Sequence, residues 1–370
     1  METKVQDKNR DLILDAINPL LKVENIFGFF RFQVLNGRMK KSNKRMKFYA
    51  LFLISVLFIA YSIIYLSDVI SSKQMYINEV VIVLILTLQY VVLIVNVMCS
   101  NNKNILIIES LAKIDYGLEL SSKNVYNKTR QQAIIFLSVL FCLYTTNFVY
   151  ECIHLSDYNV YTGVFHHVTN IARHIELVVF YVFVKLIIMR LDILNEYLKQ
   201  IIDIKSANQS TTYSNNQLSH SVLINCNSCF NRIWNKNKRE IVSLAKLFDF
   251  VGETTNNLNE VFNYQILNAL ICTFGFTILL SWMAIQLYFF NKNIDGIISL
   301  ILQCLFEVSF IGLICYVCEG MNLKRKSTGM LVNKLIMDYD LPRQKRIQAK
   351  ANGTPPRHVA CLGGVPFNNM

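Results

Sequence analysis

Long uncharged apolar runs alternate with short basic stretches along this chain, and the alternation recurs from residue 48 to residue 318. A bilayer core of about 30 Å takes about 20 apolar residues per helix, because lipid offers no partner to an unpaired backbone amide. Residues 48–66 and 80–99 carry no charge, and residues 133–150 form a third run bounded by Arg130 and Glu151. No charge occurs from Val261 to Asn291, which predicts a span over residues 265–290. Two weaker segments, 174–190 interrupted by Lys185 and 297–318 interrupted by Glu307, bring the predicted spans to six. The fold class is an all-α polytopic membrane protein.

A different period governs the linker 191–264. Leu191, Leu194, Leu198 and Ile201 form one stripe at helical spacing, and "REIVSLAKLFDFVGETTNNLNEVFNYQIL" repeats apolar residues three and four apart. The polar middle, "SANQSTTYSNNQLSHSVLINCNSCFN", predicts a flexible connection between two helices that extend below the membrane.

Charge sets the orientation. Arg38, Lys40, Lys41, Lys44, Arg45 and Lys47 precede the first span, and Lys103, Lys113, Lys123, Lys128 and Arg130 follow the second. The opposite loops offer Lys73, Arg173 and Lys292. Basic flanks stay on the cytoplasmic side, so residues 1–47 are expected in the cytosol, as are the long linker and a helical segment at 319–348. The first apolar run lacks a small-residue cleavage site and is expected to anchor rather than to be removed. Composition agrees with a multi-pass membrane protein: 53% hydrophobic, 17% charged, mean hydropathy +0.34. The net charge of +12 is accounted for by these flanks and needs no nucleic-acid partner. G-protein-coupled receptors start outside the cell, so the basic start argues against that class. Sequons at Asn127, Asn208 and Asn352 all fall on the cytoplasmic side and are expected to stay bare.

Three stretches, "INPLLKVENIFGFFRF", "LNEVFNYQIL" and "LICYVCEGMNLKRKSTGMLVNKL", together resemble the insect gustatory receptor family over residues 17–347. Insect odorant receptors share the plan and stand as the alternative, with a polytopic transporter behind them. The resemblance implies a seven-helix subunit with a cytoplasmic N-terminus, assembled as a tetrameric ligand-gated cation channel that a small tastant opens. It also implies a last helix ending in a Thr-Tyr … Gln-Phe motif. After Gln348 this sequence continues instead as "AKANGTPPRHVACLGGVPFNNM", whose apolar run is too short to cross a bilayer. The expectation is a truncated isoform with a divergent, irregular tail at 349–370, unable to conduct alone.

The family's ligand site lies in the outer half of the helix bundle. Small polar ligands need a few hydrogen-bonding groups among aromatic walls. The outer halves of the predicted spans offer Tyr65, Tyr150, His174 and Glu176 from the first half of the chain, and Trp282, Gln286, Gln303 and Glu307 from the second. Ionisable groups at membrane depth are costly and face a bundle interior or a wet cavity. Lys185 and Glu307 are therefore expected to pair, either as part of the site or as a packing device.

No cofactor or metal is expected. "CNSC" at Cys226 and Cys229, with His220, falls short of the four ligands zinc prefers. Cys315 and Cys318 stand where the sixth predicted span ends, as buried thiols or acylation sites, and Cys142, Cys272 and Cys304 are expected to pack within spans. The histidine pair His166 and His167 falls in a predicted short outer loop without further ligands, and no phosphate loop, nucleophile elbow or paired acidic motif appears, so an enzyme is not expected. Transporters break their helices with Gly or Pro at mid-membrane, whereas these spans hold no proline and few glycines, chiefly Gly275 and Gly312.

Overall fold

The computed structural model describes residues 2–35, 38–70, 77–118, 120, 123–154, 160–214, 223–286, 288–289 and 294–338. The tail expected at 349–370, the centre of the polar linker with His220, and Lys73, Lys292 and Asn352 fall outside these residues, as do the side chains of Tyr65, Asn208, Cys226 and Cys229.

Eight helices and one small hairpin make up the described chain: α1 (Glu2–Ile26), β1 (Gln33–Leu35), β2 (Arg38–Lys40), α2 (Lys44–Ile70), α3 (Ile77–Cys99), α4 (Asn101–Gly117), α5 (Lys123–His154), α6 (Val160–Ser214), α7 (Leu223–Gln286) and α8 (Ile294–Asp338). Four of them hold segments long and apolar enough to cross a membrane: Lys44–Ile63, Val125–Ile153, Leu244–Gln286 and Gly296–Leu335. A fifth arises if the bent pair Leu84–Cys99 and Asn101–Gly117 is one span. The chain is an all-α polytopic membrane protein. The predicted span at 174–190 lies within α6, which does not qualify because its charges are too dense.

The charges of α6 are tolerated because protein surrounds them. This helix packs against each of the other seven described helices, and side chains from Ala172 to Phe180 are buried in an almost unbroken run. Lipid-facing helices look different. Phe48, Phe52, Ile59 and Ile63 of α2 and Leu267, Ile271, Phe274 and Ile278 of α7 are exposed apolar residues, as expected where hydrocarbon is the solvent. At 55 residues α6 is about 80 Å long, far more than a bilayer core, so it continues well beyond any membrane, as do α7 and α8.

The N-terminal segment is structured rather than a mere basic flank. Ile13, Ala16, Ile17 and Leu20, three and four apart, seat α1 on α4 and α5. Gly28, at φ +81°, turns the chain back after α1, a left-handed conformation that suits glycine. Phe29 and Phe30 then pack on Ala50, Tyr90 and Ala172. The hairpin pairs Val34 with Met39, and Asn43 caps α2 by accepting a hydrogen bond from the Met46 amide at 3.0 Å.

The stretch after the second predicted span, expected as a loop, contains α4. The chain bends by 61° between α3 and α4. At the bend the Asn101 side chain donates to the Met98 carbonyl at 2.5 Å and the Asn104 side chain to the Ser100 carbonyl at 3.1 Å.

Candidate functional site

Three buried ionic clusters hang on α6. Near its middle Arg190 donates to Asp115 of α4 at 2.5 Å, and Tyr126 of α5 donates to the same Oδ2 at 2.5 Å. Higher up, Glu176 meets Arg31, whose guanidinium also donates to Glu24 at 2.8 Å and to Asn104 at 3.1 Å. Two carboxylates thus share one guanidinium, and burial pushes the Glu24 carboxyl up to about 8, Arg31 opposing the rise and Glu176 adding to it. Retaining one proton leaves that cluster without net charge.

The third cluster brings chemistry to a cavity. Arg173 of α6 donates to Glu307 of α8, while Thr273 of α7 donates to the other carboxylate oxygen at 3.3 Å. His174 Nε2 stands 3.7 Å from that same oxygen, and its Nδ1 is hydrogen-bonded to the Tyr144 hydroxyl at 2.8 Å. One to two turns away along α5, Glu151 accepts from Asn147 at 3.0 Å, Ser299 at 3.2 Å and Gln303 at 2.6 Å, and lies 2.9 Å from His167 Nε2. Between the two acidic centres α5, α6, α7 and α8 enclose a cavity of about 380 Å³. Its polar lining comes from Asn147, Tyr150, His166, Asn170 and Gln303, and its apolar lining from leucines and from Phe276 and Phe306. That size lies within the usual range for small-molecule sites.

The predicted site residues divide. Tyr150, Gln303 and Glu307 line the cavity. His174 stands behind the wall, joined to it through Tyr144. Glu176 belongs to the Arg31 cluster, against the segment that precedes α2, and does not line the cavity. Trp282 is 52% exposed and points away from the bundle, and Gln286 does not line the cavity. The expected Lys185–Glu307 pair is replaced: Arg173 holds Glu307, and Lys185 places its ammonium over the Tyr181 ring at 5.8 Å, on a half-buried part of α6. Arg173 itself, expected in an outer loop, is 1% exposed inside the helix, because α6 starts at Val160 and not near residue 174. Cys142, expected to pack, is exposed, as is Cys315, whereas Cys272 and Cys318 are buried.

Sequence reasoning missed most of what α6 contributes. His166, His167, Asn170, Arg173 and His174 recur at three- and four-residue intervals, a polar stripe on one helical face. Read with Asn147 and Glu151, four apart on α5, that stripe marks two facing polar surfaces.

Long apolar helices with exposed apolar outer faces around a cavity make this a multi-pass membrane protein. The chain belongs to the 7tm chemosensory receptor family, whose sequence model matches residues 17–348. Individually curated proteins give no match. The family is one of receptors, not of enzymes, and the role of the chain is that of a chemoreceptor.

Proposed function

We propose that this chain is a gustatory receptor subunit which binds a small tastant in the cavity between α5 and α8 and contributes to a ligand-gated cation channel, with its N-terminus in the cytosol and with four subunits to the assembly. The observation that carries the reading is the cavity itself. It lies inside the helical bundle, mixes aromatic walls with hydrogen-bonding groups, and is bordered by Glu307, through which Arg173 joins α6 to α8. A ligand that shifts Phe306 or Glu307 acts directly on α8, which runs on to Asp338 beyond the cavity. The basic flank before α2 supports the orientation.

The test is whole-cell recording from cells expressing the full chain, alone and with another subunit of the family. A tastant-dependent cation current is expected when the second subunit is present, and Leu280→Trp, which fills the cavity, removes it while surface delivery persists. A current that Leu280→Trp leaves intact sinks the cavity reading. For the orientation, an N-terminal tag is expected to be reached by antibody only after permeabilisation, and Asn127, exposed near the start of α5, is expected to carry no glycan.

A further inference from the structure

We infer that ligands reach the cavity sideways, from the hydrocarbon of the bilayer through a mouth between α5 and α8, and that the ligand class is therefore neutral and lipid-partitioning rather than a polyol or an ion; the inference rests on the cavity being the ligand site.

The rim carries the argument. Leu143 and Thr146 on α5 and Leu302, Leu305 and Ser309 on α8 line the cavity and are also exposed on the outside of the bundle, the leucines by 46%, 52% and 59%. They sit well inside two apolar spans, Val125–Ile153 and Gly296–Leu335. The same outer faces continue as Val139 and Val149 on α5 and as Ile298, Ile301 and Val308 on α8, all exposed and apolar. The mouth is thus continuous with surface that hydrocarbon covers.

Its two hydroxyls fit the same medium. Thr146 donates to the Cys142 carbonyl at 2.8 Å and Ser309 to the Leu305 carbonyl at 2.6 Å. Each spends its donor on its own helix, so neither costs much in lipid. At the other end Glu151 ties α5 to α8 through Ser299 and Gln303 and to α6 through His167, a polar plug across the bundle.

Charge selects against ionic ligands. Glu307, the one carboxylate among the cavity-lining residues, is matched by Arg173 and hydrogen-bonded by Thr273. A charged ligand would find no opposite charge free to receive it, and would leave water to enter an apolar mouth. A sugar would lose many hydrogen bonds to water for few in return, because the polar side chains Asn147, Gln303 and Asn170 of the lining are already bonded to Glu151 and His166.

The experiment uses the purified full chain in lipid nanodiscs, with tritiated 1-naphthol as the neutral partitioning probe, tritiated sucrose as the polyol and tritiated choline as the cation. Saturable binding of naphthol alone is expected, lost in Leu280→Trp. Two independent rim variants, Leu305→Trp and Thr146→Trp, each checked for folding by their melting temperature, are expected to slow naphthol association and dissociation about tenfold together. A plugged mouth raises the barrier in both directions, so both rates fall whatever the variants do to affinity. Sucrose or choline binding that Leu280→Trp abolishes overturns the ligand class and leaves the cavity reading standing. Naphthol binding indifferent to Leu280→Trp overturns the cavity reading itself. Unchanged association in both folded rim variants overturns the lateral route.

Discussion

Arg173 on α6 and Glu307 on α8 form a buried ion pair, and each is nine-tenths or more shielded from solvent. A charge so placed depends on its partner far more than an exposed one does.

Glu307→Gln leaves Arg173 buried without a counter-charge and is expected to cost about 3–5 kcal/mol, read as a lower melting temperature and reduced surface delivery. The paired replacement Arg173→Met with Glu307→Met removes both charges together and is expected to recover most of that loss. Equal damage from the single and double variants would show that the pair does more than neutralise itself.

The Glu24–Arg31–Glu176 cluster makes the seating of α1 sensitive to pH. The Glu24 carboxyl is raised in the folded state from 4.5 to about 8, so its contribution is full below about 4.5 and is lost as the pH climbs through about 8. Hydrogen exchange in α1 is expected to speed up between neutral pH and pH 9 beyond the intrinsic base-catalysed rise. Glu24→Gln, which keeps the neutral form at every pH, is expected to flatten that response.

Gly117, at the end of α4, lies against Leu247 of α7. A Cβ there would stand 2.3 Å from a methyl carbon of Leu247. Gly117→Ala is therefore expected to destabilise the α4–α7 contact by about 1–3 kcal/mol. Adding Leu247→Ala, which removes the clashing methyls, is expected to make the double variant less damaged than the two single losses predict together, as a double-mutant cycle in thermal unfolding would register.

Tyr126 donates to Asp115 alongside Arg190, all three from different helices. Tyr126→Phe removes a hydrogen bond to a charged acceptor and is expected to lower stability by about 1.5–3 kcal/mol. The check is a denaturation midpoint, with Tyr126→Leu expected to be worse because it also opens a cavity.

What the sequence disclosed about this fold follows from which solvent each helix meets. Residues 48–66 and 133–150 stood out because lipid touches much of their surface and permits almost no charge there, and the structure puts them in α2 and α5. The centre of the bundle obeys another rule. Wrapped by protein, α6 carries Arg173, Glu176 and Arg190 at internal positions, which lowers its hydropathy and shifted its expected start from Val160 to residue 174. That displacement turned Arg173 and the two adjacent histidines into loop residues, so the polar stripe behind the cavity went unseen. Helix α4 was hidden by its lysines, although Ile107, Ile108, Leu111 and Ile114 already had helical spacing. Of the candidate site, Tyr150, Gln303 and Glu307 were legible as polar groups isolated in apolar runs. The partner of Glu307 was not, because the late expected start of α6 put Arg173 in an outer loop and left Lys185 as the cation at membrane depth.

The ionic fittings of α6 also dictate an order of assembly on the ribosome. Arg31 and Asp115 are already made when Glu176 and Arg190 emerge, but Glu307 follows Arg173 by 134 residues. Through that interval the growing chain carries a guanidinium without its α8 counter-charge, a cost that contact with the earlier helices lowers.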